Sequence, residues 1–259
     1  MNETHTLHRH SGLHEDHPVL HHQIHASAGT VSVVPVWMFQ HEPPHSGRQE
    51  PLIIQIDDEA GKPIESFQIS HEKPMHLIMV SKDLAFFDHV HPEYQGQGRF
   101  RADVRFPGGG DYKLIVDFVP EGSEPLTVSH WVKVTGDVQP AQPLKPDSDL
   151  TKVVDGKEIA LTFDQLQAGQ EVTIIFAIHD ANTKQPIVDL QPYLGAIGHV
   201  VALSRDAEHY LHIHPIDESA SGPHAKFATM FPASGLYKLW GQFQHRGRLF
   251  TVPFTIQVP

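Results

Sequence analysis

A histidine-centred block occurs twice in this chain, and no gap is needed to superimpose the copies. Residues 74–92 read PMHLIMVSKDLAFFDHVHP and residues 197–215 read IGHVVALSRDAEHYLHIHP. This places His76 on His199, His89 on His212, His91 on His214 and Pro92 on Pro215. The likeness continues outward: KPIESF at 62–67 answers QPIVDL at 185–190, and FPGGGDYKL at 106–114 answers FPASGLYKL at 231–239. A duplication of this extent means one fold used twice. The 259 residues then divide into two copies, each of roughly 110 residues, enough to bury its own core.

The fold class follows from the apolar pattern. The first copy carries the short runs VSVVPVWMF, PLIIQI, MHLIMV, YKLIVDF and LTVSHWVKV. The second carries EIALTF, EVTIIFAI, HVVAL, YLHIH, KFATMF, YKLWGQF and FTVPFTIQV. Val, Ile and Phe dominate, Gly, Pro, Asn and Asp separate the runs, and no window keeps a helical period. That predicts an all-β chain of two tandem sandwiches, residues 30–135 and 151–259. Residues 136–150 hold three prolines and read as a semi-rigid linker. Residues 1–29 are polar, with eight histidines (His5, His8, His10, His14, His17, His21, His22 and His25), and predict a disordered tail.

The repeated histidines can meet. Between His199 and His214 lies a hairpin signal around Arg205, Asp206, Ala207 and Glu208. A two-residue turn at Asp206-Ala207 and a four-residue loop at 205–208 give the same register, with His199 abreast of His214. His212, two residues away, points to the same face. A turn centred on Asp83-Leu84 likewise sets His76 abreast of His91 with His89 beside them. Imidazole is the commonest side chain bound to transition metals. His76, His89 and His91 are therefore candidate ligands in the first copy, and His199, His212 and His214 in the second. Met75 and Met79 alternate away from His76, and the second copy has Gly198 and Ala202 instead. With neutral nitrogen donors copper is the leading ion, with zinc and nickel as alternatives. Affinity is expected to fall below about pH 6 as imidazoles protonate.

Other features exclude or rank further readings. No cysteine is present, so thiolate sites, disulfides and Cys nucleophiles are ruled out. A formal charge of −12 disfavours nucleic acid and anionic membranes. No run approaches the ~20 apolar residues of a membrane span. HEPPH at 41–45 spells a zinc-protease motif, but Pro43 and Pro44 bar the helix that motif requires. His71 reads as a rim residue beside the first trio, with Leu194 at its matching position. His209 aligns with Phe86 and stands outside the trio; His130 aligns with Phe254 and reads as core; His179, His224 and His245 read as surface residues. No phosphate loop, dinucleotide fingerprint or G-x-S-x-G is present.

The leading reading is therefore a metal-binding protein acting in capture, buffering or delivery, with the tail as an accessory and a metal-transport or other protein as its partner. The alternative is a β-sandwich interaction module whose repeated histidines are structural. An enzyme using an open three-His metal position is a minor reading, because it would need a general base near the site and the carboxylate beside the first trio is not repeated: Asp88 aligns with Leu211. Without a basic patch and apolar run at the N-terminus, the sequence reads as cytoplasmic.

From Lys62 to the linker, and again through PYLGAIGHVVALSRDAEHYLHIHP and FPASGLYKLWGQFQHRGRLFTVPF, the chain resembles bacterial tandem proteins of the YtkA-like and FixH-like group. The resemblance covers most of residues 50–259 and rests on the His-x-His-Pro motif. It implies immunoglobulin- or cupredoxin-like sandwiches, an exported or membrane-attached location, and an association with copper or heavy-metal handling. The chain departs from that pattern by its His-rich tail and by lacking a recognisable export signal.

Overall fold

The computed structural model describes residues 32–259; the tail histidines at 5–25 lie outside the described residues. The first copy contributes nine strands: β1 (Val33–Phe39), β2 (Gln49–Asp58), β3 (Phe67–Gln68), β4 (Met75–Ser81), β5 (Phe87–Val90), β6 (Glu93–Gly96), β7 (Arg99–Arg105), β8 (Gly110–Pro120) and β9 (Leu126–Val134). The second contributes β10 (Thr151–Val154), β11 (Lys157–Phe163), β12 (Glu171–Asp180), β13 (His199–Ser204), β14 (Tyr210–Pro215), β15 (His224–Met230), β16 (Gly235–His245) and β17 (Arg248–Val258). Among the described residues there is no helix, and none long and apolar enough to cross a membrane.

Each copy is a sandwich of two antiparallel sheets. In the first, β1-β2-β7-β6 faces a sheet in which β8 is flanked by β4-β5 on one side and by β3 and β9 on the other. Alternate residues turn inward, as the period of two requires. Leu52, Ile54 and Ile56 of β2 and Phe100, Ala102 and Val104 of β7 meet Met75, Leu77 and Met79 of β4 and Leu114, Val116 and Phe118 of β8. In the second, β10-β11-β12-β15 faces β14-β13-β16-β17, and the sheets are joined where His214 and Pro215 of β14 pair with Ala228 and Phe227 of β15. The His-x-His-Pro segment is thus where the chain changes sheet. In the first copy Pro92 does the same between β5, in one sheet, and β6, in the other. Proline suits this point because it cannot donate to a central ladder.

The central strands β4 and β13 are buried on both faces. Their second face packs on the other domain. Ile78, Val80, Leu84 and Ile115 of the first copy form one apolar cluster with Val201, Leu203, Ala207 and Trp240 of the second. These are matching positions, so the two domains pack through the same surface about a pseudo-two-fold axis. Burying such side chains contributes roughly 1.5–3 kcal/mol each before entropy is counted. Phe87 stacks on Trp240 at 4.7 Å, and Lys113 Nζ donates to the Ala207 carbonyl at 2.6 Å. The linker is fastened across this interface. Gln142 N donates to Asp83, Leu144 packs on the shared cluster, and Asp147 and Thr255 exchange two hydrogen bonds. Gly109 permits the linker's approach, since a Cβ there would lie 2.4 Å from the Gly136 carbonyl oxygen.

Candidate metal centre

The hairpins fold in the expected register. Leu77 pairs with Val90 and Val200 with Ile213, so one step further along brings His76 abreast of His91 and His199 abreast of His214. Both turns are the four-residue form, closed by Ser81 N to Phe86 O and by Ser204 N to His209 O. Leu84 and Ala207 take matching left-handed conformations at φ 56° and 59°. Met75 and Met79 point into the first sandwich core, away from the imidazoles. Gly198, which stands where Met75 does, leaves room for Phe243: a Cβ there would lie 2.5 Å from its ring.

The two trios are not separated. Both lie on the faces of β4-β5 and β13-β14 that turn toward the other domain, and their rings form one continuous cluster. His76 stacks on His199 with ring centroids 5.8 Å apart and planes within 13°. His89 lies 4.6 Å from His199, and His199 lies 4.2 Å from His212. The first trio is the more compact: His76, His89 and His91 each offer a ring nitrogen, all within 4.8 Å of one another.

His71 is a seventh member rather than a rim residue. Its Nε2 lies 3.0 Å from His214 Nδ1, across the domain boundary. It occupies a left-handed position at φ 47°, as Leu194 does at 56°, so both copies make the same turn before the first histidine. The sequence signal for His71 was only its nearness to His76. Its true neighbour lies 143 residues away.

Hydrogen bonds fix several ring orientations. Carbonyl and carboxylate oxygens only accept, so His76 Nε2–H donates to Ser70 O at 2.9 Å and His212 Nδ1–H donates to Asp117 Oδ2 at 3.2 Å. His89 Nδ1 lies 2.7 Å from Gln242 Oε1 and donates to it. Asp117 and Gln242 hold matching positions on β8 and β16, opposite His76 and His199. Each domain therefore orients the middle histidine of the other. In this arrangement the remaining lone pairs of His76 Nδ1 and His89 Nε2 face each other at 3.1 Å. Turning the Gln242 amide over would let His89 Nε2–H donate to His76 and relieve that pair. It would leave His91 Nε2, both nitrogens of His199 and His212 Nε2 buried without a hydrogen-bond partner. Only one other buried side-chain polar atom among the described residues, Ser123 Oγ, lacks one. Leaving a polar atom so costs about 1–3 kcal/mol. Four such atoms in one place amount to roughly 4–12 kcal/mol, comparable with the net stability of a domain.

Burial favours the neutral form of His71, His76, His89, His91, His199 and His214. It lowers His76 and His91 to about 4, reinforced by repulsion from neighbouring histidines and, for His76, despite the Ser70 carbonyl. Burial also sets His89 and His199 well below the ordinary imidazole value. His71 is lowered too, by burial and then by His212. Burial alone would raise Asp117; hydrogen bonds from His212, Thr127 and Tyr210 outweigh it and keep a carboxylate there. A cleft of about 160 Å³ opens onto His76, Asp117, His212 and His214 and connects the cluster to solvent. A larger cleft, about 680 Å³, lies at the far end of β4 near Gly108 and Tyr112, away from the imidazoles.

The remaining histidines stand apart. His41 Nδ1 bonds the buried Glu50 at 2.9 Å, His45 N donates to the same carboxylate at 3.1 Å, and the His45 ring bonds the Ser46 carbonyl, so HEPPH forms a loop gathered on Glu50 rather than a helix. His130 is exposed rather than core, because it stacks on Trp37 at the sandwich edge, whereas Phe254 is covered by Lys152 of β10. His245 is buried rather than on the surface, and bonds Asp189 at 3.0 Å.

Two tandem antiparallel β-sandwiches joined by a histidine-lined interface define the class. The chain belongs to the family described as Domain of unknown function (DUF8832), whose model matches twice, over residues 29–136 and 152–259. No curated protein matches the sequence. Among solved structures it is similar to the Escherichia coli adhesin FdeC, at 13% identity and a TM-score of 0.31, over 88% of this chain and 66% of that one. It is also similar to the Yersinia pseudotuberculosis adhesin InvE, at 11% identity and a TM-score of 0.26, over 87% and 60%. A two-domain fibronectin type III segment of chicken tenascin matches at 11% identity and a TM-score of 0.25, over 86% and 98%. The chain thus spans less than two thirds of the length of the two adhesin structures.

Proposed function

We propose that the protein binds transition-metal ions, copper foremost, in the histidine cluster between its domains, and that it serves metal capture, buffering or delivery. The observation that carries this reading is the convergence of buried, neutral imidazole nitrogens that have no hydrogen-bond partner. Nitrogen-only neutral donors favour copper over zinc and nickel on intrinsic affinity. His76, His89 and His91 are the best-gathered ligands, and His71, His199, His212 and His214 supply the rest. Gln242 and Asp117 orient the rings from behind, as partners of metal-bound histidines do. The test is calorimetric titration of the full chain with Cu(II) and Zn(II), beside a His76→Ala/His89→Ala/His212→Ala variant. The tail contributes equally to both. Loss of the tight equivalents in the variant supports the reading, and identical isotherms overturn it.

A second reading, an interaction module, is favoured by β1. Val34, Val36 and Met38 line its outward face and remain 48%, 43% and 39% exposed on an edge strand. An edge of this kind invites strand addition by another protein. Metal-independent capture of a protein that Val36→Lys abolishes would support it. An extracytoplasmic location is proposed in place of the cytoplasmic expectation. The resemblance to exported sandwich proteins supports it, and cell fractionation tests it.

A further inference from the structure

Within the cluster one imidazole alone has both ring nitrogens buried without a hydrogen-bond partner. His76 has one nitrogen tied to Ser70 O, His89 one tied to Gln242 and His212 one tied to Asp117. Each is left with a single free nitrogen and can only be a terminal ligand. His199 is 3% exposed and both of its nitrogens are buried without a hydrogen-bond partner. Its counterpart His76 is tied by the carbonyl of Ser70. The matching carbonyl, of Tyr193, accepts only from Ala196 N, at 3.4 Å. The second copy therefore has the ring without the tether.

We propose that His199 bridges two metal ions, one held by His76, His89 and His91 and the other by His71, His212 and His214. This rests on the metal reading above and specifies its architecture. His199 stands between the two groups, 4.6 Å from the His89 ring and 4.2 Å from the His212 ring. On the far side, His71 Nε2 and His214 Nδ1 are 3.0 Å apart. Two ligands on one ion, with bonds of about 2 Å, stand at about that separation. His71 thus completes the second centre from the first domain, and the first domain's trio needs no such help.

The charge balance is explicit. Neutral imidazole has one lone pair and one N–H. Binding an ion at each nitrogen replaces the N–H proton, which leaves to solvent, and the ring becomes imidazolate. Two divalent ions favour that loss, since a coordinated group gives up its proton more readily. The Asp117 carboxylate, bonded to His212, offsets further positive charge at the second centre. No electron is transferred.

The test is paramagnetic resonance of the full chain loaded with Cu(II), with copper content measured on the same sample. An imidazolate bridge couples the two spins. The expected result is a spin count lower than that of the triple variant named above, per copper bound, together with a half-field transition. His199→Ala should keep the copper and restore the full spin count. His199→Gln, which keeps a polar group but cannot bridge through a ring, should do the same. If either variant fails to fold, the wild-type spectrum decides by itself. Bound copper in the cluster that is wholly uncoupled overturns the bridge and leaves the metal reading standing. Copper content no higher than in the triple variant overturns both.

Discussion

The two copies of one hairpin have come to hold histidines in different ways. In the first, His76 and His89 are each fixed by a hydrogen bond and face each other at 3.1 Å, with His91 completing a compact trio. In the second, His199 is untethered, His212 is fixed by a carboxylate from the other domain, and His214 is approached by His71. The backbone turns match residue for residue, so the difference lies in a few side chains: Asp117 against Gln242, His71 against Leu194, Ser70 against Tyr193. Duplication supplied two similar sites, and packing them through the same surface made the sites neighbours. Once neighbours, they were free to become unequal.

The sharpest way to break this comparison is to remove the compact trio. His76→Ala/His89→Ala should abolish one tight equivalent by calorimetry and leave the other; loss of both, or of neither, would mean the sites are not individually defined. The mirror change, His212→Ala/His214→Ala, should remove the second equivalent and preserve the fold by circular dichroism. Next in size is the interface itself. Trp240→Ala should cost about 3–5 kcal/mol in denaturant unfolding, as large aromatic truncations do. It should also weaken metal binding, because the domains hold one another's ligands in place. Unchanged affinity would mean that each trio works alone.

Smaller effects separate the copies. Asp117→Asn should weaken the second centre by roughly 10–100-fold, the usual size for a partner behind a metal-bound histidine, and spare the first. His71→Leu makes the first copy resemble the second at that position. It should weaken only the second centre, seen as a lower affinity for that equivalent in the same calorimetric titration. An effect on the first centre from either change would contradict the assignment of ligands.

The pH response has a definite sign. His76, His89, His91 and His199 all have values in the fold below those of the unfolded chain. As pH falls from about 7 toward 4, the unfolded chain therefore gains more protons than the folded one. The metal-free protein should lose stability across that window, seen as a falling urea midpoint. Metal binding should persist below pH 6, contrary to the simple expectation for exposed imidazoles. A midpoint independent of pH between 7 and 4.5 would show that these rings are not enclosed.

Much of this was legible in the sequence because it is local. Hairpin alternation set His76 abreast of His91 and His199 abreast of His214, and the sandwich class followed from the short β-branched runs. What escaped was non-local. Nothing in the chain's linear order states that β4 and β13 cover one another. The hint was that both strands are apolar on both faces, which calls for a second covered surface. His71 could not be assigned for the same reason, its neighbour being in the other domain. His245 is buried and bonds Asp189 from a distant loop, and His130 is left exposed at an edge that in the second domain β10 covers. In each case the contact comes from an element far away in sequence.

Anomalous diffraction from crystals of the copper-loaded full chain, recorded at the copper edge, tests the central claim most directly. The account predicts copper inside the interdomain cluster, bonded to imidazole nitrogens at about 2 Å, with His76, His89 and His91 among its ligands. Copper found only elsewhere, with the seven rings still in place around an empty interface, would contradict it.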